Sequence, residues 1–168
     1  PSALHAEQAI AALERGRAVF CQKPLARTGA ETRRVVEAAA VADRLLAVDL
    51  SYRHTAAMRA IREVVRAGDI GRPFAVDLTF HNAYGPDAAW FYDRKQAGGG
   101  CVIDLGVHLV DLAMWLLDYP EIEQVAAQLF CQGELARPDQ CEDYAVVQMK
   151  LAGDVAVRLA CSWRVSAG

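Results

Sequence analysis

Several common functional classes are excluded by what the 168-residue chain lacks. It has no basic excess: 18 Lys and Arg stand against 21 Asp and Glu, for a formal charge of −3. A weakly acidic, mixed surface lacks the basic stripe used to engage nucleic acid, so no nucleic-acid partner is expected. Long apolar runs are missing too. The richest, Leu105 to Leu117, is interrupted by His108 and Asp111. It falls short of the ~18 residues of a bilayer span, so no membrane partner is expected. The opening Pro1-Ser2-Ala3-Leu4-His5 is neither basic nor followed by a signal-type apolar core. The five cysteines form no Cys-x-x-Cys pair, their number is odd, and most lie in apolar stretches such as Ala18-Val19-Phe20-Cys21. Buried free thiols are expected, with neither a disulfide framework nor a zinc site, in a cytoplasmic protein.

What is present suits a packed core: 54% of the residues are hydrophobic. The length fits one domain, or one domain and part of another. The first segment reads as a helix from an N-cap at Ser2 through Leu13, stopped by Gly16. Ala18 to Cys21 reads as a short strand buried on both faces, ended by Gln22-Lys23-Pro24. Thr28 caps a second helix to about Asp43, with Val35, Val36 and Ala39 inward. Leu45 to Leu50 is a second apolar strand. This helix–strand rhythm predicts a doubly wound parallel sheet.

After a third helix, Thr55 to Ala67, with Met58, Ile61, Val64 and Val65 as its core stripe, the rhythm changes. Phe74 to Phe80 reads as an antiparallel strand covered on one face. A loop with Trp90, Phe91 and Tyr92 leads to Gly98-Gly99-Gly100 and a long helix to Leu117. Strands are expected at Gln124 to Cys131, Tyr144 to Leu151 and Val155 to Trp163, with Gly153-Asp154 as a hairpin turn. Val125, Leu129, Val147, Met149, Val155, Val157 and Leu159 would give this sheet one apolar face. Such a face is buried either by a partner or by the chain's own helices. The second part is therefore α+β, with an open, mainly antiparallel sheet.

The helix after the glycines carries the strongest chemical signal. At ~100° per residue, Asp104, His108, Asp111 and Trp115 share one stripe on an otherwise apolar helix. A polar stripe on a buried helix faces either a satisfied network or a wet pocket. Asp104 and His108 stand at i, i+4, where a carboxylate fixes the imidazole tautomer and raises its pKa, as a general base requires. A buried Asp–His pair of purely structural purpose would show the same spacing. Two carboxylates and an imidazole also raise the question of a metal. Asp104 and Asp111, however, are ~10 Å apart along the axis, too far to share one ion readily, so no metal is expected. Lys23 stands at the carboxyl end of a parallel strand, where ligands gather in open α/β sheets; taken alone, it reads rather as a solvated surface lysine. Pro24 makes the preceding peptide a candidate cis bond.

In this order, the pieces resemble the Gfo/Idh/MocA family of NAD(P)-dependent oxidoreductases. The matching residues are His5, then Gln22-Lys23-Pro24-Leu25, Ser51-Tyr52-Arg53, Gly68-Asp69-Ile70-Gly71-Arg72-Pro73, and Gly98-Gly99-Gly100 running through Asp104 and His108 to Asp111. The resemblance implies that residues 1–52 are the C-terminal portion of a dinucleotide-binding Rossmann domain. Residues 53–168 would be an incomplete substrate-binding and oligomerisation domain. It implies a sugar or polyol dehydrogenase using NAD or NADP, assembled as a homo-oligomer through the antiparallel sheet. Lys23, Asp104 and His108 would be the catalytic set. Pro1, His5, Gln22, Lys23, Pro24 and Arg53 would lie near the cofactor. Tyr84, Trp90, Tyr92 and Asp111 would join the catalytic set in meeting substrate.

Two departures stand out. The family usually has Glu where this chain has Gln22. No Gly-x-Gly-x-x-Gly follows any predicted strand, although family members are about twice as long and carry it in their first strands. The chain is therefore expected to be the middle of such a protein and to be inactive alone. Two other roles fit the same fold: a dinucleotide- or sugar-binding regulator, and a glycosidase-like hydrolase that recycles its NAD.

Overall fold

The computed structural model describes residues 1–165. A 3-10 turn, Ser2–Leu4, feeds α1 (His5–Glu14), followed by β1 (Val19–Gln22), α2 (Gly29–Ala42) and β2 (Leu46–Asp49). Ser2 makes no side-chain cap and is instead buried in this entry turn. Thr28 does cap α2: its Oγ1 accepts the Glu31 N–H at 3.1 Å. β1 and β2 pair in parallel, in register from Val19–Leu46 to Gln22–Asp49. Leu13, Val35 and Ala39 close a small core between α1 and α2.

β1 is not buried on both faces. Phe20 is 74% exposed, and Val36 on α2 is half exposed. The physical reason is that the helical layer packs on the Val19 face of β1, while no helix covers the face to which Phe20 points among the described residues.

The turn Ser51–His54 leads to α3 (Ala56–Ala67), capped by Thr55 and closed by Gly68 at φ 77°. Its expected core stripe is largely at the surface. Ile61 and Val64 are exposed, and only Met58 packs on the cluster of Leu112, Trp115 and Leu116. α3 rests on one neighbouring helix and the turn before it, which covers too little of its circumference.

β3 (Ala75–His81) is followed by the turn Ala89–Tyr92, α4 (Arg94–Ala97), a π-helical segment Val102–Gly106, and α5 (Val107–Leu116). β4 (Ile122–Cys131), β5 (Glu134–Leu135), β6 (Tyr144–Leu151) and β7 (Val155–Ser162) complete a five-stranded sheet, ordered β3-β7-β6-β4-β5. The β6–β7 hairpin turns at Gly153 and Asp154, both at positive φ. β3 corrects the expected pattern: it lies parallel to β7, from Ala75–Ala156 to His81–Ser162. One-sided cover gives a period of two in either strand direction, so alternation alone cannot tell the two apart.

The apolar face of this sheet is covered by the chain itself. Met149, Val157, Leu159 and Cys161 pack on Cys101, Leu105 and Leu109 of the helical layer. Val125, beyond the reach of that layer, stays 58% exposed. The helical stretch Arg94–Leu116 is long and apolar enough to cross a bilayer by composition, but 61% of its apolar window is buried inside the fold. Of the five cysteines only Cys101 and Cys161 are fully buried, facing each other with Sγ atoms 3.8 Å apart.

Candidate active site

Lys23 follows the last residue of β1, and the Lys23–Pro24 bond is cis. Its ammonium crosses to the helical layer of the second half. There Nζ donates to the Asp104 carboxylate Oδ1 at 2.6 Å and to the Asp104 main-chain carbonyl at 2.5 Å. That carbonyl is available because Asp104 lies in the π-helical segment. The Val107 N–H bonds back five residues to Val102, so the ordinary four-residue ladder is interrupted here.

Glycine makes this approach possible. A Cβ on Gly100 would overlap the Glu142 backbone, which accepts the Cys101 N–H at 2.8 Å. The Glu142 carboxylate, on a residue only 2% exposed, takes the Val102 N–H at 3.0 Å. Together these contacts satisfy the amino end of the helix that bears Asp104 and His108 from outside it.

The expected Asp104–His108 bond is absent. Asp104 spends one oxygen on Lys23 and the other on the indole N–H of Trp163 at 3.0 Å. His108 is 8% exposed, and its Nδ1 is buried without a partner. Its ring stands edge-on to Tyr52 at 4.6 Å and lies near Phe80. Burial first, then the positive charge of Lys23, hold the imidazole below its ordinary pKa, against the pull of Asp104, Asp111 and Asp49. The sequence reading had the opposite sign. Desolvation of a ring with no hydrogen-bonded carboxylate favours the neutral form.

A cavity of about 200 Å³ opens beside Lys23 and Asp104, walled also by His5, Gln22, Pro24 and Trp90. His5 Nδ1 donates to the Pro24 carbonyl at 2.7 Å, which fixes that wall. Trp90 stacks on Phe91, with ring centroids 3.8 Å apart. Pro1 is exposed next to Ser2, and Ser2 reaches the wall.

The remaining predicted residues sit elsewhere. Arg53 and Asp111 form a bidentate ion pair with each other. Tyr84 is 78% exposed, and Tyr92 bonds the Pro86 carbonyl on a separate polar depression. Among the described residues, no group of three or more His, Cys, Asp or Glu is placed to hold a metal ion. Trp163, Tyr52 and Glu142 were missed by sequence reasoning. Tyr52 lay inside a quoted motif, whereas Trp163 and Glu142 carry no local signal at all.

Comparison with known proteins places this arrangement. Residues 58–168 match the profile described as the GFO/IDH/MocA C-terminal domain, and residues 1–50 match an oxidoreductase family with an NAD-binding Rossmann fold. The chain is 40% identical over 125 residues to the 1,5-anhydro-D-fructose reductase of Ensifer adhaerens, covering 73% of this chain and 37% of that protein. It is 39% identical over 115 residues to inositol 2-dehydrogenase 3 of Saccharopolyspora erythraea, covering 68% and 32%. Its fold is similar to that of levoglucosan dehydrogenase solved with NADH and levoglucosan, with a TM-score of 0.88 at 27% identity, covering 99% of this chain and 47% of that one. The chain thus spans roughly a third of the curated relatives and about half of the solved structure. It belongs to the Gfo/Idh/MocA family of oxidoreductases.

Proposed function

We propose that the protein of which these residues form the site is an NAD(P)-dependent dehydrogenase acting on a secondary hydroxyl of a sugar, anhydro sugar or cyclic polyol. The observation that carries this reading is a lysine ammonium fixed on Asp104 and near enough to a buried imidazole for its charge to lower that imidazole's pKa. The names of the similar proteins point to the same substrate class.

The chain's residues fit a nicotinamide. Pro24 and Phe91 offer apolar walls, and His5, Gln22 and Lys23 offer polar groups around the same cavity. When bound there, the nicotinamide supplies the hydride-transfer chemistry. His108, held in its neutral form by burial, takes the hydroxyl proton. Lys23 donates to the same oxygen and stabilises its developing negative charge. Asp104 holds Lys23 in place, and Arg53 holds Asp111 in an ion pair. Trp90 forms an apolar platform for the ring of the substrate.

The test is cofactor reduction by the intact gene product with a panel of sugars and polyols, repeated with His108→Asn. Reduced nicotinamide should accumulate with at least one member of the panel and nearly vanish in the variant, with cofactor affinity kept. Cofactor binding without reduction would indicate a regulator. Product release without net reduced cofactor would indicate a recycling hydrolase.

We also propose that a homo-oligomer forms through the sheet face opposite α5. That face is bare and carries Ala126, Ala156 and the Arg158–Asp77 ion pair around a shallow trough of about 370 Å³. A monomeric mass in solution at micromolar concentration would exclude it.

A further inference from the structure

We propose that Trp163 is a positioning residue for the Lys23–Asp104 pair, an inference that rests on the dehydrogenase reading above. Trp163 directly follows β7, is 3% exposed and belongs to the main core. Three contacts lock its orientation. Its backbone N–H bonds the Asp143 carbonyl at 2.8 Å, and Tyr92 and Phe91 stand edge-on to the indole at 5.5 and 6.5 Å. The one polar atom of this rigid side chain, Nε1, is aimed at Asp104 Oδ2.

Each Asp104 oxygen therefore has one donor of a different kind: an ammonium on a flexible stem at Oδ1 and a rigid indole at Oδ2. A four-carbon lysine stem cannot by itself hold a carboxylate in one rotation, because both ends are free to turn. The indole removes that freedom. It sets the carboxylate plane, and the plane sets where the Lys23 ammonium sits. An N–H donor to a charged carboxylate is a strong, directional bond, so it can serve this purpose. Trp163 touches neither substrate nor cofactor in this role and acts only through Asp104.

Two measurements test the proposal. The first needs no activity. In an indole ¹H–¹⁵N spectrum of the protein, the Trp163 N–H should exchange slowly, and Asp104→Ala should shift it and speed its exchange. An unmoved signal overturns the proposal even if the dehydrogenase reading also fails. The second is kinetic. Trp163→Phe should lower kcat on the order of tenfold to a hundredfold, with cofactor affinity unchanged. In an Asp104→Ala background the same change should cost nothing further. An equal loss in both backgrounds, or full activity in Trp163→Phe, overturns the proposal while leaving the dehydrogenase reading intact. Should Trp163→Phe fold poorly, benzothienylalanine at position 163 keeps the ring shape and removes only the N–H; it should reproduce the kcat loss, and wild-type kcat there overturns the proposal.

Discussion

Lys23 and Asp104 stand 81 residues apart in sequence and 2.6 Å apart in space, and their contact joins the parallel two-stranded half to the sheet-and-helix half. Both side chains are mostly shielded, at 16% and 17% exposure, and each is the other's countercharge. Lys23→Met should lower kcat by about 10²- to 10⁴-fold. It should also destabilise the fold by about 1.5–3 kcal/mol, because a charge-assisted bond is lost from a partly buried carboxylate. Steady-state kinetics and urea denaturation check the two effects separately.

The state of His108 predicts a pH dependence. Its folded pKa lies below the ordinary value of 6.5, so the unfolded chain binds the proton more readily than the folded one. Stability from this group is complete above pH 6.5 and is lost as pH falls from there through the lower folded value. Melting curves between pH 7.5 and 5 should show a fall that His108→Gln flattens. A variant with an unchanged slope would remove His108 as its source.

Gly100 has no room for a side chain, since a Cβ there would overlap the Glu142 backbone. Gly100→Ala should cost about 3 kcal/mol through forced displacement of the helix start. At ~2–4 °C per kcal/mol for a chain of this size, Tm should fall by roughly 6–12 °C. A Tm within a degree of wild type would refute the close approach.

The Arg53–Asp111 pair is shielded unevenly, with side-chain exposures of 24% and 9%. Arg53→Met alone should cost about 3–5 kcal/mol, because it strands a buried carboxylate. Combining it with Asp111→Leu should recover most of that loss. The double-mutant cycle, read by chemical denaturation, would show strong coupling; additive losses would argue against the pair.

The sequence made some of this legible and hid the rest, for physical reasons. Thr28 announced the start of its helix because capping is local chemistry, and it acts as expected. Gly153-Asp154 announced the hairpin for the same reason. Lys23 and Asp104 were both singled out, but not as partners, since nothing local links positions 81 residues apart. The pairing of Asp104 with His108 was inferred from an ordinary helical wheel. The π-helical turn breaks that wheel, and the competing donors Lys23 and Trp163 take both oxygens. Exposure of Phe20 and Ile61 was equally illegible, because periodicity records which face is apolar and not whether anything covers it.

The parallel alignment of β3 beside β7 has a consequence for how the chain reaches this structure. β6 and β7 are joined by a three-residue connection and can zip as a local hairpin, whereas the Asp77–Arg158 ion pair closes a loop of 81 residues. Loop-closure entropy must be overcome before such a distant pairing returns any stabilisation, which makes β3 a late arrival at the edge of a sheet already assembled. The helix bearing Asp104 and His108 lies in the segment between those two strands. Its amino end is anchored through Glu142 and Trp163, which flank the β6–β7 hairpin, so this anchorage can form before β3 docks.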